Sequence, residues 1–450
     1  MLVGRTQELK NLENIYRKKG SNLVILYGRK GIGKTTLAKE FAKDKPVFYY
    51  SARQVTEKEQ VFCIQKECQI QLPSADYKTF FKILQRKKGE KPVIILDEFQ
   101  YMAQESEQFF SALAEYLENG KKAVPAMVLL LSSSINWVEN SMPDALGQAA
   151  RFVTTIAKVK EFSFVDLVKF EKNSTVEDSV YISAVLGGVP AYVKLWQEGK
   201  SLKENILSLF LHTQAPLYEE AEHFLKRELR ELSAYNAILA ALAAGQNKLN
   251  EIYERTGFSR AKISVYLKNL IALDIVEKMF SYDTSGQVNA QKGLYRIKDV
   301  CLRFWYCFIY PNQSAIEEGN GEEVYEQYVK QNMSVYMRES FRMVCMEFLC
   351  LMNQYGKLKY RYVSFGSWFG KTGLIDILAK EEENHYLVAF CDFSEQPMDC
   401  NIVEMANSLF EQAEIGEPSE YYLFARNGFT KELRTLAKER GISLICLEDL

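Results

Sequence analysis

A short apolar run, Val24 to Tyr27, feeds directly into Gly28-Arg29-Lys30-Gly31-Ile32-Gly33-Lys34-Thr35, and no other stretch restricts the fold of this chain so tightly. The run reads as a buried strand. The eight residues after it match the pattern G-x-x-x-x-G-K-[ST], in which glycines let backbone N–H groups turn inward around phosphate oxygens. The helix expected over Thr35 to Lys43 adds the positive end of its dipole to the same anion. Gly28 to Thr36 are therefore the expected cradle of a nucleotide, with Lys34 reaching the β and γ phosphates and the Thr35 hydroxyl ligating Mg²⁺.

A second pattern appears downstream in the right order. Pro92 to Leu96 is an apolar strand ending in Asp97-Glu98. Asp97 is expected to hold Mg²⁺ through water and Glu98 to polarise the attacking water as general base. Each motif follows a predicted strand, and the pair points to ATP as cofactor. A further strand, Ala126 to Leu131, ends in Ser132-Ser133-Ser134, where Ser133 would sense the γ-phosphate. Ordinary strand-end capping by serine is the competing reading. Arg151 is a candidate γ-phosphate arginine, acting in cis or towards a neighbouring chain, against the plainer reading of a surface arginine.

Strands and helices alternate over residues 1–160, which predicts a parallel α/β sheet. At 450 residues the chain is too long for one ordinary core, and the usual domain size gives about three domains. No apolar run reaches the roughly 18 residues of a membrane span, so a cytoplasmic protein with no membrane partner is expected. Nine cysteines lack any C-x-x-C pair and three histidines stand far apart, which argues against a zinc site or disulfide framework. The formal net charge of −2 gives no global attraction to nucleic acid, so any such binding must come from a local patch.

Residues 161–233 read as a helical lid whose landmark is Leu186 to Tyr192, a Gly187-Gly188 turn with Pro190 starting the next helix. Residues 234–300 show helix, helix, turn, helix and two strands, the order of a winged helix. Arg260, Lys262 and Lys268 lie on its recognition helix, expected over Ser259 to Asp274, and could meet duplex DNA. Three basic residues beside Glu251, Glu254 and Asp274 make a thin footprint, so a protein-packing role carries equal weight. Within 301–450, Cys301 to Tyr310 reads as a packed aromatic helix, Glu317 to Asn320 as a linker and about Ser340 to Gln354 as an amphipathic helix. Strands are expected at Leu358 to Val363, Leu374 to Ala379, Tyr386 to Ala389 and Glu420 to Ala425, with a helix at Ile402 to Gln412 and a closing helix and strand.

Val3-Gly4-Arg5 followed by Glu8-Leu9, the P-loop, Leu96 to Gln100 and the Gly-Gly-x-Pro-x-Tyr element together resemble the prokaryotic P-loop ATPase family common in archaea, a branch of the AAA-like and STAND-like group. The resemblance implies that Gly4 and Arg5 lie by the adenine. It also implies an AAA-like core with helical lid, a winged helix and a C-terminal restriction-endonuclease-like α/β domain. That domain's chemistry needs several acids and a lysine around Mg²⁺. Asp376 keeps the first acid, but Phe390-Cys391-Asp392 stands where Glu-x-Lys is expected. Leu374 and Arg342 replace two further acids, although Asp392 could pair with Asp376 as a second ligand. The implied protein is an ATPase that switches conformation, with an inactive nuclease-like domain. The alternatives are an ATP-responsive DNA-binding regulator and, more weakly, an active nuclease. A protein partner and an oligomeric state are left open.

Overall fold

The computed structural model describes residues 2–85, 88–120, 123–282, 293–370, 373–381 and 385–450. The chain divides into two compact units, Met1–Asp166 with Val189–Tyr192, and Leu167–Gly188 with Val193–Leu450.

The first unit is built on five parallel strands, β1 (Asn22–Tyr27), β2 (Val47–Ser51), β3 (Val93–Asp97), β4 (Met127–Ser132) and β5 (Val153–Lys158), in the order β2-β3-β4-β1-β5. Every residue of β3 and β4 is buried, as continuous apolar runs in a two-sided parallel sheet should be. Tyr27 pairs with Ser132, Asp97 with Leu131 and Ser51 with Asp97, so the carboxyl ends of four strands finish level. Loops at those ends are where open α/β sheets assemble their sites. Helix α1 (Thr6–Tyr16) precedes β1, and α2 (Lys34–Ala42) follows the glycine loop. Helices α3 (Glu57–Cys68), α4 (Tyr77–Leu84) and α5 (Phe109–Asn119) share the core of the sheet through Val61 and Ile64, Phe80 and Phe81, and Phe109 and Leu113.

In the second unit, α6 (Val176–Val185) starts in a capping box between Thr175 and Asp178. Then come α7 (Leu232–Ala243), α8 (Leu249–Thr256) and α9 (Arg260–Ala272), followed by antiparallel β6 (Val276–Met279) and β7 (Leu294–Ile297). Gly257, with φ +69°, ends α8, and the Ser259 side chain accepts from Lys262 N–H to start α9. The winged-helix order places a polar loop, Ser281 to Lys292, between the two strands, and its residues 283–292 lie outside the described residues. The aromatic stretch is helical at Val300–Phe304 and widens to a π turn at Trp305–Ile309, with Trp305 buried and its Nε1 donating to the Tyr218 carbonyl at 2.6 Å.

Three expectations are corrected here. The linker at 317–320 is flanked by the helical turns Gln313–Glu317 and Gly321–Val324, and the amphipathic helix, α10, spans Lys330–Gln354 rather than starting near Ser340. Its first turns expose Gln331, Asn332 and Val335 and are anchored through Met333 and Met337, a sparse apolar face that conceals the helix in sequence. No strand forms over 358–363. The Asn353 side chain captures the Tyr362 backbone, accepting from its N–H at 3.0 Å and donating to its carbonyl at 2.9 Å, and the strand starts beyond it.

The closing sheet contains β8 (Ser364–Phe369), β9 (Leu374–Lys380), β10 (Tyr386–Asp392), β11 (Glu420–Ala425) and β12 (Ile442–Cys446), in the order β12-β11-β10-β9-β8. Strands β8 to β10 are antiparallel and β10 to β12 parallel, with α11 (Asn401–Ala413) and α12 (Lys431–Arg440) as the crossovers of the parallel half.

Candidate functional site

The loop between β1 and α2 depends on glycine for its shape. Gly28, Gly31 and Gly33 have φ of +146°, +84° and +96°. A Cβ on Gly28 would stand 2.8 Å from the Val159 carbonyl oxygen, and one on Gly31 would stand 2.7 Å from Ala191 Cβ. A Cβ on Gly33 would meet nothing, so the mouth of α2 is open. Gly33 brings that helix no side-chain cap. An uncapped helix start reached through positive-φ glycines is an anion cradle.

Lys34 is buried, with Nζ donating to the carbonyls of Gly28 at 2.7 Å and Arg29 at 3.1 Å. Thr35 Oγ1 donates to Asp97 Oδ2 at 2.5 Å, and Glu98 N–H donates to Oδ1 at 3.0 Å. Burial raises the Asp97 carboxyl above its ordinary value of 3.8 and Glu98 adds to the rise, while Thr35, Tyr49 and Lys34 oppose it. Glu98 has φ +51°, a left-handed conformation uncommon for a residue with a Cβ. Its Oε2 accepts from Ser133 Oγ at 2.5 Å, Gln100 Nε2 at 2.6 Å and Ser133 N–H at 3.3 Å. Ile32 is buried, whereas Lys30 and Thr36 are exposed.

The set fits a nucleoside triphosphate carrying Mg²⁺. The cradle supplies room and donors for phosphate, and a hydroxyl beside a carboxylate supplies the hard oxygens that Mg²⁺ takes. Arg5 is placed against the loop itself. Arg5 is buried, and its Nη2 donates to the carbonyls of Ile32 at 3.0 Å and Lys160 at 2.7 Å. Gly4 has φ +66° and lies under the Asp166 carboxyl, where a Cβ would come within 2.7 Å of its Cγ.

Arg151 is not brought to this site within the chain. It precedes β5, and Leu23 pairs with Val153 while Tyr27 pairs with Lys158, so Arg151 lies at the opposite end of the sheet from the loop after Tyr27. It is exposed and ion-paired with Glu118 at 2.8 Å. The cis role expected from sequence is thereby corrected, since a position after a strand in the chain's order says nothing about which end of the sheet it occupies.

Three residues of the site have no role assigned from the sequence. Tyr49 on β2 donates its hydroxyl to Asp97 Oδ2 at 3.2 Å, and burial together with the Asp97 charge pushes its phenol up to about 12. Gln100 is buried against Glu98. Tyr192 accepts from Arg29 Nη2 at 3.0 Å, the guanidinium lying 5.0 Å from the ring centroid, and Ala191 N–H donates to the Gly31 carbonyl at 3.2 Å. The Gly187 to Tyr192 element, read from sequence as an interhelical turn, thus clasps the glycine loop through its last two residues. Its tyrosine was visible in the sequence, but its partner was not.

In the second unit, Arg260, Lys262 and Lys268 are exposed on α9. The Arg260 guanidinium covers Tyr253 at 4.4 Å and its Nε donates to Asn250 Oδ1 at 2.8 Å, while Lys262 Nζ lies 4.5 Å from the Phe258 ring centroid. In the closing sheet, burial raises the Asp376 carboxyl, and its Oδ2 accepts the Cys391 N–H at 3.0 Å. Arg342 acts on it as a neighbouring positive charge and donates to Ser367 Oγ at 2.6 Å, and that hydroxyl donates to the Asp376 carbonyl at 2.7 Å. Asp392 accepts from the Ser394 hydroxyl at 2.7 Å, and Phe390 is in the core. Among the described residues no group of three or more His, Cys, Asp or Glu side chains could hold a metal.

The sheet order, the glycine loop and the paired carboxylates define the class, a P-loop ATPase core. Residues 2–195 match the family described as an ATPase domain predominantly from Archaea, so the chain carries an ATPase domain of the archaeal type. Residues 305–403 match a family of archaeal and bacterial proteins of unknown function. An uncharacterized protein of Methanocaldococcus jannaschii is 28% identical over 393 residues, 85% of each chain. An uncharacterized ATP-binding protein of the same organism is 45% identical over 47 residues, 10% of this chain and 80% of that one. Among solved structures, a Walker-type ATPase of Pyrococcus abyssi aligns over 68% of this chain and 96% of its own at 15% identity and a TM-score of 0.48. The ORC2 protein of Aeropyrum pernix, solved with ADPNP and ADP, aligns over 70% and 95% at 17% identity and a TM-score of 0.45. No helix of the described residues is long and apolar enough to cross a membrane.

Proposed function

We propose that the protein is an Mg²⁺-dependent ATPase whose nucleotide state switches the arrangement of its other parts. The observation that carries this reading is the contact of Thr35 with Asp97 beneath the glycine loop, with Glu98 held one residue further on. In this reading Gly28 to Thr36 bind the phosphates, and Lys34 leaves the Gly28 and Arg29 carbonyls for the β and γ phosphates. Thr35 and Asp97 hold Mg²⁺, which would offset phosphate charge. Glu98 takes the proton of the attacking water, and Ser133, hydrogen-bonded to it, responds to the γ-phosphate. A switch requires the nucleotide to prefer one arrangement over the other. The clasp of Ala191 and Tyr192 on the loop is the element such a preference would act through.

We further assign residues 161–233 to a helical lid, 234–300 to a winged helix and 301–450 to a nuclease-like domain without nuclease chemistry. Arg342 brings positive charge to Asp376, and Phe390 offers no ligand. A second reading, an ATP-responsive regulator that binds duplex DNA, is favoured by the exposed Arg260 and Lys262 with their aromatic neighbours Tyr253 and Phe258.

Steady-state hydrolysis and labelled-nucleotide binding test the main reading together. Wild-type protein should hydrolyse ATP only with Mg²⁺, Lys34→Ala should lose binding, and Glu98→Gln should bind ATP with turnover reduced about 100-fold or more. Wild-type turnover in both variants would refute the assignment.

A further inference from the structure

The Asp97 carboxylate receives three hydrogen bonds, and two of them come from the motifs that define the site. Thr35 belongs to the glycine loop and Glu98 N–H to the carboxylate pair itself. The third donor, Tyr49, comes from β2, a strand that contributes to neither motif. The parallel register that sets Tyr50 against Leu96 and Ser51 against Asp97 brings it within reach. Its hydroxyl and that of Thr35 share one oxygen, Oδ2, at 3.2 and 2.5 Å. The ring is fixed in turn by Lys39, one helical turn beyond Thr35 on α2, with Nζ 4.2 Å from the ring centroid.

A buried carboxylate that is to serve a cation has to remain ionised and remain in place. Each hydrogen bond donated to its charged form does both. Thr35 cannot be credited independently, because its oxygen is itself an expected ligand. Tyr49 can be, because it is not itself an expected ligand and its hydrogen bond to the site goes to Asp97. Donors behind a metal-binding side chain change affinity by about 10- to 100-fold when they are removed.

We propose that Tyr49 is a positioning residue for the cation half of the nucleotide site, its phenol aiming the Asp97 carboxylate and Lys39 holding the ring in place. The inference rests on the nucleotide-and-Mg²⁺ reading above. The test is a titration of Mg²⁺ into full-length protein with a fluorescent ATP analogue, alongside the same binding measured in EDTA and the melting temperature without ligand. Tyr49→Phe keeps the ring and the Lys39 contact and removes one donor. The expected result is an approximately tenfold rise in half-saturating Mg²⁺, with EDTA affinity unchanged and the melting temperature lowered by no more than about 2–4 °C for the one lost hydrogen bond. A Mg²⁺ dependence equal to wild type, with or without a lowered melting temperature, overturns the proposal, as does a loss of affinity that is the same in EDTA and in Mg²⁺. Wild-type binding that ignores Mg²⁺ overturns the parent reading, and this inference with it.

Discussion

The glycine at position 31 separates two costs that usually come mixed. Its φ of +84° is unfavourable for any residue with a Cβ, and its missing Cβ is also the space occupied by Ala191 at 2.7 Å. Gly33 has φ +96° with nothing within contact range, so Gly33→Ala carries the backbone cost alone. That term is about 1–2 kcal/mol. Gly31→Ala adds a carbon that must be separated from Ala191 by a further ångström or so, since unstrained carbon contacts begin at about 3.5 Å. Pro190 and the Ala191 hydrogen bond to the Gly31 carbonyl resist that movement. Losing that bond adds about 1 kcal/mol.

Gly31→Ala should therefore cost about 2–3 kcal/mol, roughly twice Gly33→Ala. At about 2–4 °C per kcal/mol for a domain of this size, that is a drop of roughly 5–10 °C in melting temperature for the nucleotide-free protein. Scanning calorimetry of both variants without ligand measures it, and Tyr192→Phe supplies the control. If the clasp is real, Gly31→Ala and Tyr192→Phe should be less than additive, because the first has already moved the segment that the second weakens. Equal losses at positions 31 and 33, with full additivity at 192, would refute the clasp.

The remaining expectations concern protons and charge. Because burial raises the folded Asp97 carboxyl, the metal-free fold takes up a proton there before the unfolded chain does; its contribution to stability is present at low pH and is lost as pH rises through the raised value. Mg²⁺ requires the ionised form, so the Mg²⁺-dependent gain in nucleotide affinity should decline on acidification before an ordinary carboxyl would titrate, and this decline should be absent in Asp97→Asn. Arg151→Ala should leave hydrolysis at high dilution within twofold of wild type, as expected of an exposed ion pair worth under about 1 kcal/mol. A large loss of turnover under those conditions would place Arg151 at the γ-phosphate after all.

What could be read in the sequence was local. The P-loop glycines, Lys34 and Thr35 announce themselves because backbone geometry and ligand chemistry fall within eight consecutive residues. Asp97 and Glu98 are legible because two adjacent acids close an otherwise apolar strand. Contacts set by register could not be read. Tyr49 looks like any aromatic residue on a strand until β2 is placed beside β3, and Arg151 looks close to the nucleotide until the direction of β5 is known. The same limit hid the first turns of α10 and the true start of β8, where the Asn353 side chain, rather than strand propensity, decides the path of residues 358–363.

The closing sheet shows how a buried acid can be compensated from within the protein. A buried carboxylate such as Asp376 needs compensation, and a divalent cation is one source. Here compensation is built from protein. Glu339 gathers Arg296, Arg303 at 2.7 Å and Arg342 at 3.8 Å, drawing Arg342 into the interior, where burial and the Arg296 charge lower its pKa while Glu339 and Asp376 oppose that. Ser367 then ties Arg342 to the backbone of Asp376, and the Cys391 N–H binds the carboxylate. With guanidinium charge and a peptide donor in place, the fold tolerates Asp376 without a metal, and a cation entering there would have to overcome Arg342. Removing Arg342 alone would therefore leave Asp376 with the Cys391 N–H and the weaker influence of the Arg338 charge as compensation, and metal binding there would require new ligands as well as the loss of Arg342.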